Sequence, residues 1–343
     1  MENKFIKTLN KNLRSSARFA LSAGEYFLKK KISLFFILFI SQTLFSLDFF
    51  IAPYTGVMFG KLGEYLYDSS DSYICSYLEW EEKPLCFIGL DAGLEHNNFQ
   101  FDVAFDYTLP LACGKMYDSD WNEDGIKHTY SINDNKNLLG INTNLDFSYK
   151  FKITPNFSIS PVFDINYKYY SFLANNGHGW YGGANFTGYD DDIPWDNSNP
   201  SAKYYKKLSR VSYYRHTVNF YTGLDLNFIP VLNHIISIGL FTNIYSYTSA
   251  YDYHYDDSYS GYDYFMQPIQ NSFFNNIKVN ISYEYLIKRN LSLLFDIEYE
   301  QGFLTKGFFM TNSLYKVCYK SDQPSGSDFF DFKTCIGIKY IFQ

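Results

Sequence analysis

The chain has 343 residues, of which 34 Tyr, 34 Phe and 4 Trp make it 21% aromatic, yet its mean hydropathy is only −0.24. Disordered chains are poor in aromatics and helical membrane proteins need apolar runs of about 18 residues, absent here after the first 50 positions, so both classes are excluded. The formal charge is −7, but the first 46 residues hold eight basic and two acidic side chains, and the remainder keeps 21 basic against 34 acidic, a formal −13. Such a balance argues against a nucleic-acid partner and favours cationic peptides or proteins.

In chain order, the first segment carries Lys4, Lys7, Lys11, Arg14, Arg18 and Lys29 to Lys31 ahead of an apolar run from Ile32 to Phe45 that stops before Asp48. It reads as an export signal, residues 1–46, with a long basic leader, followed by a single domain over 47–343. From residue 49 onward the dominant signal is period two. Leu139, Ile141, Leu145, Phe147, Tyr149, Phe151 and Ile153 alternate with Gly140, Asn142, Asn144, Asp146, Ser148, Lys150 and Lys152. The same alternation runs through Phe101 to Leu109, Val218 to Phe228, Leu291 to Tyr299 and Phe330 to Phe342. One face is apolar and the other polar, as in strands with lipid on one side and water on the other.

Ten strands are predicted near 49–65, 77–94, 99–112, 137–153, 157–173, 209–229, 234–249, 271–286, 291–303 and 329–342. Tight turns at His96-Asn97-Asn98, Thr154-Pro155-Asn156, Pro230 to Asn233 and Lys288-Arg289-Asn290 alternate with long polar loops at 66–76, 112–136, 174–208, 249–270 and 304–328. Long strands in even number, short turns at one end and long loops at the other predict an all-β, ten-stranded antiparallel transmembrane β-barrel. It is expected as a monomer among outer-membrane lipids of a Gram-negative-type envelope, its long loops facing outside.

Few side chains could carry chemistry. There is no Gly-x-Ser-x-Gly, His-Glu-x-x-His or phosphate-binding loop, and the five cysteines form no Cys-x-x-Cys pair or zinc spacing, so no cysteine-held metal and no cofactor motif is expected. Asp252 and His254 stand two apart, on one side of an extended chain, where a carboxylate can fix an imidazole's tautomer and support its protonated form. Asp118 and Asp120 stand likewise, and close carboxylates repel until one holds a proton. Solvated acidic loops or a divalent-ion site are the blander readings of both pairs. Arg215, Lys206 and Lys207 read as solvated, His216 as a lumenal or rim residue, Trp121 as a loop anchor or site wall, and Cys335 as a packed lumenal thiol.

These residues resemble a known family. Gly114-Lys115-Met116-Tyr117-Asp118-Ser119-Asp120-Trp121 is similar to the Asp-x-Asp-Trp loop of the omptins, and Asp252-Tyr253-His254-Tyr255-Asp256 to their Asp-x-His-Tyr-Asp loop. Gly60-Lys61 with Glu64 and Tyr67, Leu78-Glu79-Trp80, Tyr169 to Phe172 and Gly337 to Phe342 resemble further family strands in family order. The resemblance implies an outer-membrane endopeptidase of aspartyl type, without covalent intermediate or metal. Asp252 and His254 would activate water, Asp118 and Asp120 would position it and the scissile carbonyl, and Glu64 would bind a basic substrate side chain. Ala250 stands where the family carries a second acid for that side chain, which weakens the implied basic preference. Tyr167 and Tyr169 stand where it carries an acid and a base that grip lipopolysaccharide, which argues against dependence on that lipid. A catalytically silent barrel serving as an adhesin or surface-binding protein, or a small porin, are the alternatives.

Overall fold

The computed structural model describes residues 47–182, 195, 202–208, 210–255, 264–312 and 318–342. The expected signal segment, residues 1–46, lies outside them. Fourteen strand segments follow one another: β1 (Asp48–Tyr67), β2 (Ile74–His96), β3 (Phe99–Thr108), β4 (Ala112–Trp121), β5 (Lys127–Tyr149), β6 (Phe151–Thr154), β7 (Phe157–Gly182), β8 (Ala202–Leu208), β9 (Val211–Val231), β10 (His234–His254), β11 (Tyr264–Ser272), β12 (Asn276–Lys288), β13 (Leu291–Asn312) and β14 (Cys318–Phe342). Four breaks, between β3 and β4, β5 and β6, β8 and β9, and β11 and β12, interrupt what are otherwise ten antiparallel walls among the described residues. β1 pairs with β2 on one side and with β14 on the other, so the ladder closes into a ring.

Alternation sets what faces where. Ile88, Leu90, Phe105, Phe147, Leu224, Leu240, Ile281, Phe295, Ile336 and Ile338 are exposed and form an apolar outer band on the half of the barrel near the tight turns, the pattern of a membrane-spanning barrel. At those turns Asn97 and Asn233 take φ of 58° and 71°, a left-handed conformation that Asn tolerates better than most side chains. The inward set is polar and buried. Lys168 bonds Glu300 at 2.8 Å and Asp331 at 2.5 Å, Tyr221 donates to Glu300 at 2.7 Å, Lys278 meets Asp164, and Lys333 bonds Asp106 at 2.5 Å. These crossings tie opposite walls together and fill the lumen with paired charge.

The strands are longer than alternation predicts. The expected loops 112–136, 249–270 and 304–328 are largely ladder: β4 and the start of β5 fill much of the first, β10 runs to His254 with β11 opposite it, and β13 and β14 extend through most of the third. Above the lipid no apolar outer face is needed, so the hydropathy alternation fades while the hydrogen bonds continue. A bulge then changes the facing of β10. Its partners on β9 shift between Asn243 and Tyr245, leaving Ile244 as the extra residue. Below it Gly239, Phe241 and Asn243 point in; above it Ser246, Thr248, Ala250, Asp252 and His254 do. A single inserted residue thus reverses side-chain parity. Asn243 pins this bend, accepting hydrogen bonds from the backbone N–H of Asn275 and Asn276 at 2.7 and 2.6 Å where β11 gives way to β12.

The buried triad around Lys168 supports a stability prediction. Replacing Lys168 by Met leaves Glu300 and Asp331 facing each other without a cation, and breaking a buried pair this way costs about 3–5 kcal/mol. Urea unfolding of the refolded barrel in detergent should show that loss, and the additional change Glu300→Gln should restore part of it.

Candidate active site

The expected site residues stand on strands rather than loops, and five of them converge. Asp118 and Asp120 lie on β4, where Leu78 of β2 pairs with Asp118 and Ser76 with Asp120. Asp252 and His254 lie on β10, paired with Tyr213 and Val211 of β9. Glu64 lies on β1 and pairs with the same Leu78. Glu64, Leu66, Leu78, Asp252 and Pro268 line one small cavity between these walls.

His254 Nε2 lies 2.7 Å from Asp252 Oδ2, and Asp252 is 1% exposed. The carboxylate therefore holds the Nε2 proton, and the lone pair of the neutral ring sits on Nδ1. Burial works against protonating the ring, but Asp252, Asp118 and Glu64 outweigh it and hold its pKa above the ordinary histidine value. Asp118 moves strongly upward, first because the cleft keeps water from it and then because Asp120 stands beside it, with His254 pulling the other way. Asp120 accepts a hydrogen bond from Thr129 Oγ1. The mutual influence of Asp118, Asp252 and His254 shows the two pairs sharing one field across the cleft. An arrangement with an imidazole on one wall and a pair of carboxyl groups on the other can carry out general acid–base chemistry. Among the described residues no cluster of three or more His, Cys, Asp or Glu is arranged to hold a metal ion.

Below the acids the cleft has an aromatic floor. Trp80 stacks on Tyr213 with centroids 4.7 Å apart and on Phe172 at 6.1 Å, and Phe172 stacks on Tyr170 at 5.9 Å. All four rings are buried, closing the lumen between site and membrane.

Other residues correct the sequence reading. Arg215 is 3% exposed, not solvated, and reaches inward beneath Glu64. Its inward parity follows from Val218 and Phe220 facing out, a signal present in the sequence. For the same reason His216 faces outward, its Nδ1 2.9 Å from the Tyr167 hydroxyl and its ring 4.7 Å from that of Tyr169. Lys206 is exposed. Trp121 packs under the Lys127 ammonium, 4.8 Å from its ring. Cys335 borders a lumenal cavity and donates to Asp296 at 3.5 Å, while Cys75, Cys86 and Cys113 are free thiols. Sequence reasoning passed over Tyr213, Arg215 and the Trp80 stack as site components.

The sequence pattern that defines the Omptin family matches residues 46–342. The outer membrane protease OmpT from Escherichia coli superimposes with a TM-score of 0.73 at 18% identity, over 86% of this chain and 97% of that one. The translocator domain of the autotransporter NalP from Neisseria meningitidis, at 7% identity over 91% and 95% of the two chains, reaches 0.34. OprG from Pseudomonas aeruginosa, at 11% identity over 86% and 96%, reaches 0.29. No curated protein sequence matches this chain significantly. The fold defines an outer-membrane β-barrel. Within that class, this chain belongs to the Omptin family.

Titration of His254 is directly measurable. Imidazole NMR of the barrel in micelles should place its midpoint above 6.5, and Asp252→Asn, which deletes the carboxylate hydrogen-bonded to the imidazolium, should move that midpoint down.

Proposed function

We propose that the protein is an outer-membrane endopeptidase whose site opens at the barrel end away from the tight turns, facing outside, and that it hydrolyses peptide bonds with water activated by His254. The observation that carries this reading is the 2.7 Å pair of Asp252 and His254 set opposite Asp118 and Asp120 across one cleft. OmpT, to which the chain is similar in fold, is described as a protease.

A substrate strand lies between the walls with its carbonyl toward β4. Neutral His254 takes a proton from a water through Nδ1 as the water oxygen bonds to the carbonyl carbon, while Asp252 steadies the imidazolium that forms. Asp118, kept protonated by its surroundings, donates a hydrogen bond to the carbonyl oxygen as charge grows there, a contribution that counts most where water is excluded. Breakage of the C–N bond returns the His254 proton to the leaving amine. No acyl-enzyme forms, and no metal takes part. Excess acid on the exported domain favours cationic peptides and proteins as the pool from which substrates come. The buried ion pairs and the aromatic floor speak against a porin, because they occupy the path an ion would need.

Cleavage by refolded full-length protein in detergent micelles tests the proposal. Asp252→Asn and His254→Ala should each lower kcat/KM by about 100- to 10,000-fold, the range of general-base catalysis. Chelation by EDTA should change nothing. Because the base must be neutral and its pKa is raised, kcat/KM should climb with pH through a midpoint above 6.5. Absence of peptide cleavage by wild type at any neutral or alkaline pH, with and without lipopolysaccharide, would refute the proposal.

A further inference from the structure

The groups beneath the dyad do not resemble a site built to receive a cation. Ala250, 1% exposed, occupies the inward position one step below Asp252, and its cross-strand neighbour on β9 is Arg215. The Arg215 guanidinium lies near Glu64, Tyr213 and Glu82, and 5.7 Å from the Phe329 ring. Phe329 pairs with Leu62, one inward step below Glu64 on β1. A positive charge is thus built into the wall under the one acid that faces the dyad from β1. It makes a weak hydrogen bond from Nε to Thr217 Oγ1 at 3.4 Å, and the Tyr213 hydroxyl lies close beside it. Arg215 Nη1, Glu64 Oε1 and the Tyr213 hydroxyl, which lies close to both residues, are buried and none has a well-formed hydrogen bond among the described residues.

We propose that Arg215 is the specificity-determining residue of this site: its guanidinium takes the place a basic substrate side chain would fill, so the enzyme cuts after uncharged residues, with a carboxamide side chain best. The inference rests on the peptidase reading above and adds the class of bond cut. A lysine or arginine side chain descending toward Glu64 meets the fixed cation of Arg215 in a water-poor pocket, where like charges repel most. A carboxamide carries one acceptor and two donors. Its oxygen can accept from Arg215 Nη1 and its NH2 can donate to Glu64 Oε1, satisfying two buried polar atoms at once. Sites built to hydrogen-bond a substrate group discriminate strongly against analogues that leave those atoms unpaired. Burial and Asp252 favour a protonated Glu64 against the pull of Arg215, which weakens any residual attraction for a cation further.

Two peptides identical except for Gln or Arg on the N-terminal side of the scissile bond provide the test. Wild-type protein should show kcat/KM at least about 10-fold higher for the Gln peptide. Arg215→Gln should reverse that order, and Arg215→Gln with Ala250→Asp should extend the reversal. Heat-modifiable migration on gels confirms that each variant has formed its barrel, and Arg215→Met provides a second uncharged substitution should one fail. Equal or better cleavage after Arg by wild type, with a ratio unmoved by Arg215→Gln, overturns the proposal. Binding of the same peptides, fluorescently labelled, to the His254→Ala protein by anisotropy gives a readout free of catalysis. If wild type cuts nothing yet the Gln peptide binds tighter and Arg215→Gln inverts the order, the peptidase reading fails and the pocket assignment stands. If the Arg peptide binds tighter while Arg215 is present, the assignment fails whatever the protein cleaves.

Discussion

Closure of the backbone ladder is the constraint on which everything else here depends. Within lipid no water can satisfy an exposed N–H or C=O, so a sheet crossing the bilayer must have no edge. The pairing of β1 with β14 from Phe49 and Phe342 at one end to Leu66 and Ser325 at the other removes it. Once the ring is closed, each residue has two choices, inward or outward, and chemistry can be built only from those turned in. The ladder does not stop where the lipid does. Its continuation lifts the candidate site clear of the membrane while keeping Asp118, Asp120, Asp252 and His254 on paired strands, which hold position better than free loops.

Facing is therefore the variable through which sequence controls function. On β10 the period of two would turn Tyr251 and Tyr253 inward if the parity of Gly239, Phe241 and Asn243 carried on unbroken. The extra residue at Ile244 reverses this and delivers Ala250, Asp252 and His254 to the cleft. On β2 the register shifts between Met58 and Gly60 of its neighbour, and Leu78 and Trp80 point in above the shift as Leu85 and Phe87 do below it. Bulges next to active sites commonly re-aim side chains in this way. The buried bonds from Asn243 to the backbone of Asn275 and Asn276 tie the bend in β10 to the break in the next wall, so the two irregularities support one another.

Much of the fold was legible because lipid imposes a strict alternation. Phe101 to Leu109, Leu139 to Ile153 and Leu291 to Tyr299 could be placed from hydropathy alone. The third of the barrel away from the tight turns was not, since water bathes its outer face and Tyr, Ser and Asp serve equally on either side. A stretch such as Tyr251 to Asp256 therefore reads as loop although it begins as strand. The i, i+2 spacing of Asp252 and His254, and of Asp118 and Asp120, remained readable there because it requires only that the chain be extended. Arg215 was readable too, by carrying the outward parity of Val218 and Phe220 back to His216; its run of Tyr213, Tyr214, Arg215 and His216 has no apolar contrast, and that hid it. What no spacing could reveal is that β9 and β10 set Arg215 beside Ala250.

That juxtaposition separates two properties that the family resemblance bundles together. The chemistry proposed at His254 calls on Asp252, 2.7 Å away, and on Asp118 and Asp120. The proposed recognition turns on the layer beneath, where Ala250 stands beside the Arg215 guanidinium. Arg215 is 3% exposed, so its charge is screened less than one on the rim. The proposed specificity therefore rests on one strand pairing, Arg215 beside Ala250, and leaves the Asp252 and His254 pair as it is.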